Sequence, residues 1–171
     1  MRRRVALLLL PLLACRPPDP KLELELLGLE TYWAVDAAKA QEQYIAATVR
    51  FEVRHKGAEP HNSVEASAGF RRANDTGVWE EWGSDWKQVS TSKHPLQPGE
   101  SRLVVLKSDA RYHSPGPPES MFAHQLFRDP KVEIYVRVGS SSWVKFGEAP
   151  VERRIGSRSV PAEVRDAAPP H

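Results

Sequence analysis

The chain has 171 residues, which is enough for one domain with a hydrophobic core, and its formal net charge is +2. Three positive charges lie in Arg2–Arg4, a segment that we expect to be removed, and 21 basic residues then face 22 acidic ones. This balance gives no reason to propose a basic surface for nucleic acid. The single cysteine, Cys15, excludes an intramolecular disulfide.

The amino terminus has the pattern of a signal peptide over residues 1–14. Three arginines precede an apolar run from Val5 to Ala14, and a cysteine follows directly. Ten apolar residues are too few to span a hydrocarbon core, which needs about 20. We therefore expect an exported chain without a permanent transmembrane helix at this end.

Residues Leu12, Leu13, Ala14 and Cys15 resemble the lipobox of bacterial lipoproteins. The resemblance implies that Cys15 receives a diacylglycerol, that the signal is cut before it, and that lipid on this residue is the membrane contact. Two or three acyl chains would anchor the protein stably, at about 0.8 kcal/mol per buried methylene. Arg16 at the next position favours anchoring in the outer membrane if the cell has two membranes. The alternative is an ordinary secretory signal that leaves Cys15 as a free thiol.

The mature chain is predicted to be one all-β domain over residues 22–156, between a tether at 15–21 and a flexible tail at 157–171. Residues 45–54 alternate apolar and polar side chains, with Ile45, Val49 and Val53 among those expected to face inward. Six further strands are predicted at 22–26, 64–70, 86–91, 102–107, 132–138 and 143–146. About seven or eight short strands predict two antiparallel sheets packed face to face.

Two segments depart from the strand pattern. Residues 34–43 are rich in helix-forming residues, and they fit a helix of two to three turns, a long loop or a strand extension. A second helical turn is predicted near residues 119–126.

Three segments resemble immunoglobulin-like domains of bacterial envelope proteins, which include cell-adhesion-related and fibronectin-like modules. They are the V-R-F-E-V run at 49–53, the L-Q-P-G-E-S turn at 96–101 and the strand at 132–138. The resemblance implies an immunoglobulin-like β-sandwich that serves adhesion, scaffolding or ligand presentation. The proline-rich length between Leu106 and Val132 departs from a minimal module and leaves its topology open.

Three of the five tryptophans, Trp79, Trp82 and Trp86, lie within eight residues of one another. Exposed indoles can form a platform for sugar rings, and the acidic side chains between them could accept hydroxyl hydrogen bonds. The same residues could instead fill the core or contact a protein partner. They are the possible ligand-binding residues of the chain.

We nominate no catalytic residue, metal ligand or cofactor. His55, His61, His113 and His124 lie near turns, but their spacing matches no zinc motif. Adjacent strand residues such as Glu80 and Glu81 point to opposite faces, and Asp109, His113 and Ser114 lack a nucleophile elbow. The sequence thus predicts a membrane-anchored envelope lipoprotein that is a non-catalytic binding or scaffolding module for envelope protein or polysaccharide. A glycan-binding module and, behind it, a small hydrolase are the alternatives.

Overall fold

The computed structural model describes residues 19–39, 42–114 and 116–156. The predicted signal peptide, Cys15 and the predicted tail lie outside this range. A short helix, α1 (Pro20–Glu23), precedes eight strands and a 3-10 helix (Pro118–Ala123). The strands are β1 (Leu24–Lys39), β2 (Glu42–His55), β3 (Val64–Ala73), β4 (Trp79–Ser90), β5 (Ser101–Lys107), β6 (Tyr112–Ser114), β7 (Pro130–Val138) and β8 (Val144–Pro150).

The strands form two antiparallel sheets. In the first sheet the order is β1-β2-β5, and β6 also pairs with β2; in the second sheet the order is β4-β3-β7-β8. Buried side chains from both sheets belong to one hydrophobic cluster, so the sheets pack against each other. The prediction of an all-β protein with two antiparallel sheets is confirmed.

Period-two alternation sets the inner face of each central strand. The predicted inward residues of β2, β3 and β7 are all buried, including Phe51, Phe70 and Ile134. Each large apolar side chain removed from water in this way contributes about 1.5–3 kcal/mol. Two positions were predicted wrongly, since the alternation predicts that Leu22 faces inward and that Thr48 faces water. Leu22 lies in α1 and is 74% exposed, while Thr48 is buried and its hydroxyl donates to the Ala46 carbonyl at 3.1 Å.

The described part of residues 34–43 is strand, which agrees with the strand-extension alternative. β1 continues to Lys39 and β2 begins at Glu42, with Val35 opposite Ile45 and Ala37 opposite Gln43. Backbone pairing along this hairpin satisfies the hydrogen bonds that a helix would otherwise make, so tertiary context overrides the helix propensity. The predicted helical turn near 119–126 corresponds to the 3-10 helix at Pro118–Ala123.

The insertion between Leu106 and Val132 covers one end of the core. Its strand β6 pairs with the start of β2, and the 3-10 helix and Phe127 follow. Around the fully buried Trp33, aromatic rings pack with centroid separations of 5.2–6.2 Å, a normal range for aromatic pairs. We call this group the interior aromatic cluster; it consists of Trp33, Trp82, Tyr112, Phe122 and Phe127.

The segment after β8 returns to the outer edge of the first sheet. Trp33 and Ile155 form a parallel bridge, in which the Trp33 amide donates to Arg154 and the Gly156 amide donates to Trp33. Within the described ranges, the chain forms no helix with the length and apolar character needed to cross a bilayer.

Candidate functional site: an outer aromatic face

The outward side of the second sheet carries exposed aromatic residues. Trp79 and Trp86 are 41% and 61% exposed, and they pair with Ala73 and Ser67 at outward positions of β3. Trp143 is 39% exposed and lies against Arg137, an outward residue of β7. We call this surface the outer aromatic face; its rings are Trp79, Trp86, Tyr135 and Trp143.

Trp82 does not belong to this face, which Trp79 and Trp86 share because the β3–β4 pairing contains a bulge. Glu81 pairs with Arg71 and Gly83 pairs with Phe70, which leaves Trp82 as the extra residue. Alternation along β4 already turns Trp82 inward relative to Trp79, and the extra residue shifts the alternation so that Trp86 faces outward again. The Trp82 indole stacks on Tyr112 with a centroid distance of 5.1 Å. The structure therefore places Trp79 and Trp86 on one surface and Trp82 in the interior aromatic cluster.

The centre of the outer aromatic face is shallow because its side chains are small. Ser67 lies between Trp86 on β4 and Tyr135 on β7, and Gly69 lies between Ser84 and Glu133. A Cβ atom added at Gly69 would meet no other atom within 4 Å, so the sheet is open to solvent there. Strands β4 and β7 flank β3 and are separated by about 10 Å, twice the normal strand spacing. The result is a depression about 10 Å wide between two aromatic residues.

A buried carboxylate organises the charges of this face. Glu133 accepts hydrogen bonds from Lys145 and Tyr135 at 3.0 Å and forms an ion pair with Lys131 at 3.6 Å. Burial by itself would raise the pKa of Glu133, but these two hydrogen bonds and the two lysine charges outweigh burial and hold the pKa below its usual value. The same environment raises the pKa of Tyr135, mainly through burial and the hydrogen bond to Glu133.

Cations cover two of the outer rings. The Lys131 ammonium lies 4.9 Å from the centre of the Trp79 ring, and the Arg137 guanidinium lies 4.7 Å from the centre of the Trp143 ring. Both distances are within the range of cation–π attraction. Trp86 is the most exposed of the outer indoles. Flat rings beside charged hydrogen-bonding groups can hold a planar or cyclic polar ligand.

A second group of polar side chains lies where α1, β2 and the loop after β2 meet. Glu23, His55 and His61 each offer one ligand atom, and these three atoms lie within 4.8 Å of one another. Burial, followed by the nearby His55 imidazole, lowers the pKa of His61, while Glu23 acts in the opposite direction. Among the residues that the structure describes, this is the one group of three such side chains close enough to hold a metal ion. No spacing in the sequence links Glu23 to the two histidines.

The other candidate residues from the sequence make hydrogen bonds or ring contacts with their own neighbours and do not form a common site. His113 packs on Tyr44 with a centroid distance of 5.3 Å, and the His124 Nδ1 accepts a hydrogen bond from its own loop. The Asp109 carboxylate accepts from the Ser84 amide at 2.9 Å, and the Ser114 hydroxyl donates to the Gly116 carbonyl at 3.0 Å. Glu80 accepts a hydrogen bond from the Asn74 side chain, and Glu81 lies opposite Arg71.

No family model matches this sequence, and no curated protein matches it. Solved structures show distant likeness. One is the alkylpurine DNA glycosylase AlkC from Pseudomonas fluorescens bound to DNA that contains an abasic site analog, with TM-score 0.36 and 11% identity. The likeness covers 75% of this chain but 30% of the glycosylase chain.

Two other solved structures are similar over most of their own length. The ApaA protein from Bordetella pertussis has TM-score 0.34 and 13% identity, with 75% of this chain and 94% of that chain covered. A Northeast Structural Genomics Consortium target has TM-score 0.38 and 4% identity, with 88% and 99% covered. At these scores no conclusion about activity follows from the likenesses.

Proposed function

We propose that this chain is an envelope lipoprotein, anchored by lipid on Cys15, whose domain binds polysaccharide on the outer aromatic face without catalysing a reaction. The observation that supports this most directly is the position of Trp79 and Trp86. Both are exposed on one surface of the second sheet, along β4, and a depression lined with small residues of β3 lies beside Trp86. Exposed tryptophans grouped on a surface are uncommon unless they serve binding.

The strand order supports an immunoglobulin-like domain. In immunoglobulin lettering, the first sheet would contain strands A, B and E, which correspond to β1, β2 and β5. Strands C, F and G would correspond to β3, β7 and β8. The second sheet then contains C, F and G with β4 as an added C′ strand beside C. This division of strands is the one that characterises immunoglobulin-like sandwiches, in which exposed surfaces and loops carry binding sites.

The charge content of the outer aromatic face favours polysaccharide over a protein partner. The centres of protein–protein interfaces are depleted of charged residues, whereas here Arg71 and Glu133 line the central depression. Sugar rings can stack on indoles through their apolar faces while their hydroxyls bond to charged groups at the ring edges. Both kinds of group are present on this face.

Sedimentation with insoluble cell wall tests the ligand class. The full chain in detergent is mixed with purified peptidoglycan sacculi, and Trp86→Ala and Trp79→Ala are compared with the wild type. We expect each substitution to weaken binding about tenfold, which corresponds to about 1.4 kcal/mol. Leu126→Ala is the control, because Leu126 is exposed but lies outside the face. Absence of sedimentation, or equal sedimentation of all four proteins, would contradict the proposal.

Intact mass and detergent partitioning test the anchor. In a bacterial host, the wild-type chain should begin at Cys15, carry the mass of two or three acyl chains and follow the detergent phase. Cys15→Ser should remain in the aqueous phase. A free thiol at Cys15 in the soluble wild-type protein would support the ordinary secretory signal instead.

A further inference from the structure

We propose that Glu23, His55 and His61 form a binding site for one divalent transition-metal ion of the zinc class. This site is separate from the outer aromatic face and does not depend on the function proposed for it. Two imidazole nitrogens and one carboxylate oxygen are the ligand types that zinc and its neighbours in the first transition row prefer.

The distances fit ligands around a cation better than they fit hydrogen bonds. Oε2 of Glu23 lies 3.7 Å from Nε2 of His61 and 4.0 Å from Nε2 of His55. Both separations exceed a hydrogen bond. Ligands about 2.0–2.2 Å from a tetrahedral ion lie about 3.3–3.6 Å from one another, so small side-chain rotations would bring the three atoms onto one ion.

Three imidazole nitrogens of the cluster are buried without the partners that polar groups normally require. The His55 side chain has no solvent exposure, and neither of its ring nitrogens has a hydrogen-bond partner in the described part of the chain. Nε2 of His61 is also buried and unpartnered there. Buried polar nitrogens are nearly always satisfied, and three unsatisfied nitrogens at one place call for an explanation. A cation bound between the rings would satisfy Nε2 of both.

The backbone holds each ligand residue in place. The Glu23 carbonyl accepts from the Lys56 amide at 2.8 Å, and the His55 amide donates to Glu100 at 2.9 Å. His61 exchanges two backbone hydrogen bonds with Leu96, at 2.9 and 3.0 Å. Ligands that are already positioned lose little conformational entropy when the ion binds, which favours affinity.

Gly57 leaves the space that the carboxylate occupies. A Cβ atom at this position would overlap Oε2 of Glu23 and would lie 2.8 Å from Nε2 of His55. Glycine is used where side chains or ligands must approach the backbone closely. Gly57→Ala should therefore displace Glu23 from the site even though all three ligand residues remain.

The site would have three protein ligands and an open position. Glu23 is the most exposed of the three residues and His61 is partly exposed, so the open position faces the solvent side of the cluster. A fourth ligand from water is the normal completion of such a set.

Equilibrium dialysis with Zn²⁺ tests the proposal. The protein is the untagged full chain with Cys15→Ser, which removes the thiol as a competing ligand. We expect one Zn²⁺ per chain and a loss of at least about 100-fold in affinity for Glu23→Gln and for His61→Asn, larger than the effect of losing an outer-shell group. His94→Asn is the matched control, because His94 is exposed and outside the cluster.

Co²⁺ gives a spectroscopic measurement of the same site. Bound Co²⁺ in the parent protein should show visible absorption from mixed nitrogen and oxygen ligands, and Zn²⁺ should displace it. Gly57→Ala should lose this signal, and circular dichroism shows whether that variant folds. If it does not fold, Glu23→Gln decides, since its carboxylate is partly exposed and the change is isosteric. Binding of less than one Zn²⁺ per chain, or equal zinc affinity in all variants, would overturn the proposal.

Discussion

The interior aromatic cluster and the outer aromatic face use the same residue type for opposite purposes. Trp33 is fully enclosed by the rings of its cluster, whereas Trp86 lies on an open sheet and is 61% exposed. The first removes apolar surface from water during folding, and the second retains apolar surface that a ligand can still cover. Stability and binding should therefore separate cleanly between the two regions.

The position of the β3–β4 bulge decides which region each tryptophan joins. Trp82 is three residues from Trp79, so alternation alone puts it on the opposite face, but it is four residues from Trp86 and is separated from that residue by the bulge. A bulge redirects side chains at little cost to the sheet. One inserted residue therefore decides that Trp86 shares a face with Trp79 and not with Trp82.

The largest expected difference concerns Trp33 and Trp86. Trp33→Ala should lower the free energy of unfolding by about 3–5 kcal/mol, because it removes a buried side chain that contacts four other rings. Trp86→Ala should change it by no more than about 0.5 kcal/mol. Urea denaturation measures both values. Comparable losses for the two variants would show that Trp86 is structural and not held free for a ligand.

A smaller effect is expected at Glu133, under the outer aromatic face. Glu133→Gln should destabilise the protein by about 1–3 kcal/mol at pH 7, because the neutral amide loses the charge-assisted hydrogen bond from Lys145 and the ion pair with Lys131 at a buried position. Since folding lowers the pKa of Glu133, its contribution is present above the unfolded pKa of about 4.3 and is lost as the pH falls through the folded pKa.

Urea denaturation of the wild type and Glu133→Gln at a series of pH values measures this contribution. The difference between the two proteins should be largest near neutral pH and should shrink as the pH drops below about 4.3. A difference that does not depend on pH would mean that the carboxylate charge has no part in the interaction. Glu152→Gln is a suitable control, because that carboxylate is exposed.

The smallest expected effect is the cation–π contact between Arg137 and Trp143. A double-mutant cycle with Arg137→Gln and Trp143→Leu should give a coupling free energy of about 0.5–1 kcal/mol. Arg137 also pairs with Glu65 at 2.5 Å, and the cycle removes that contribution because both arginine-containing states retain the pair. A coupling near zero would indicate that the guanidinium leaves the ring in solution.

The inner faces of the sheets could be predicted because burial imposes alternation on a strand. Every predicted inward position of β2, β3 and β7 is buried, and β5 and β8 lie where short strands were expected. The failures have local causes. The Leu22 prediction extended a strand into α1, whose start is capped by Asp19 and contains Pro20. The common face of Trp79 and Trp86 could not be predicted, because a bulge depends on the pairing partner and not on the strand alone.

The cluster of Glu23, His55 and His61 could not be predicted from the sequence for a different reason. Its histidines are separated by five residues, and Glu23 precedes His55 by a whole β-hairpin. The β1–β2 register places Leu24 opposite His55 and so brings the preceding Glu23 beside the histidine. The sequence showed two histidines on either side of a turn, but only the strand pairing supplies the third side chain. The three tryptophans, in contrast, lie within one strand and could be seen as a group in the sequence, although only the bulge decides which two share the exposed face.

The bridge between Trp33 and Ile155 also bears on self-association. β1 lies at the end of the first sheet, and an unpaired strand edge is a template on which another chain can add a strand. Residues 154–156 occupy part of that edge through their hydrogen bonds to Trp33. The chain thus shields its own first strand with its last described residues. A version shortened before Arg154 would leave that edge open while the hydrophobic core stays intact. We expect such a protein to aggregate through β1 although it still folds.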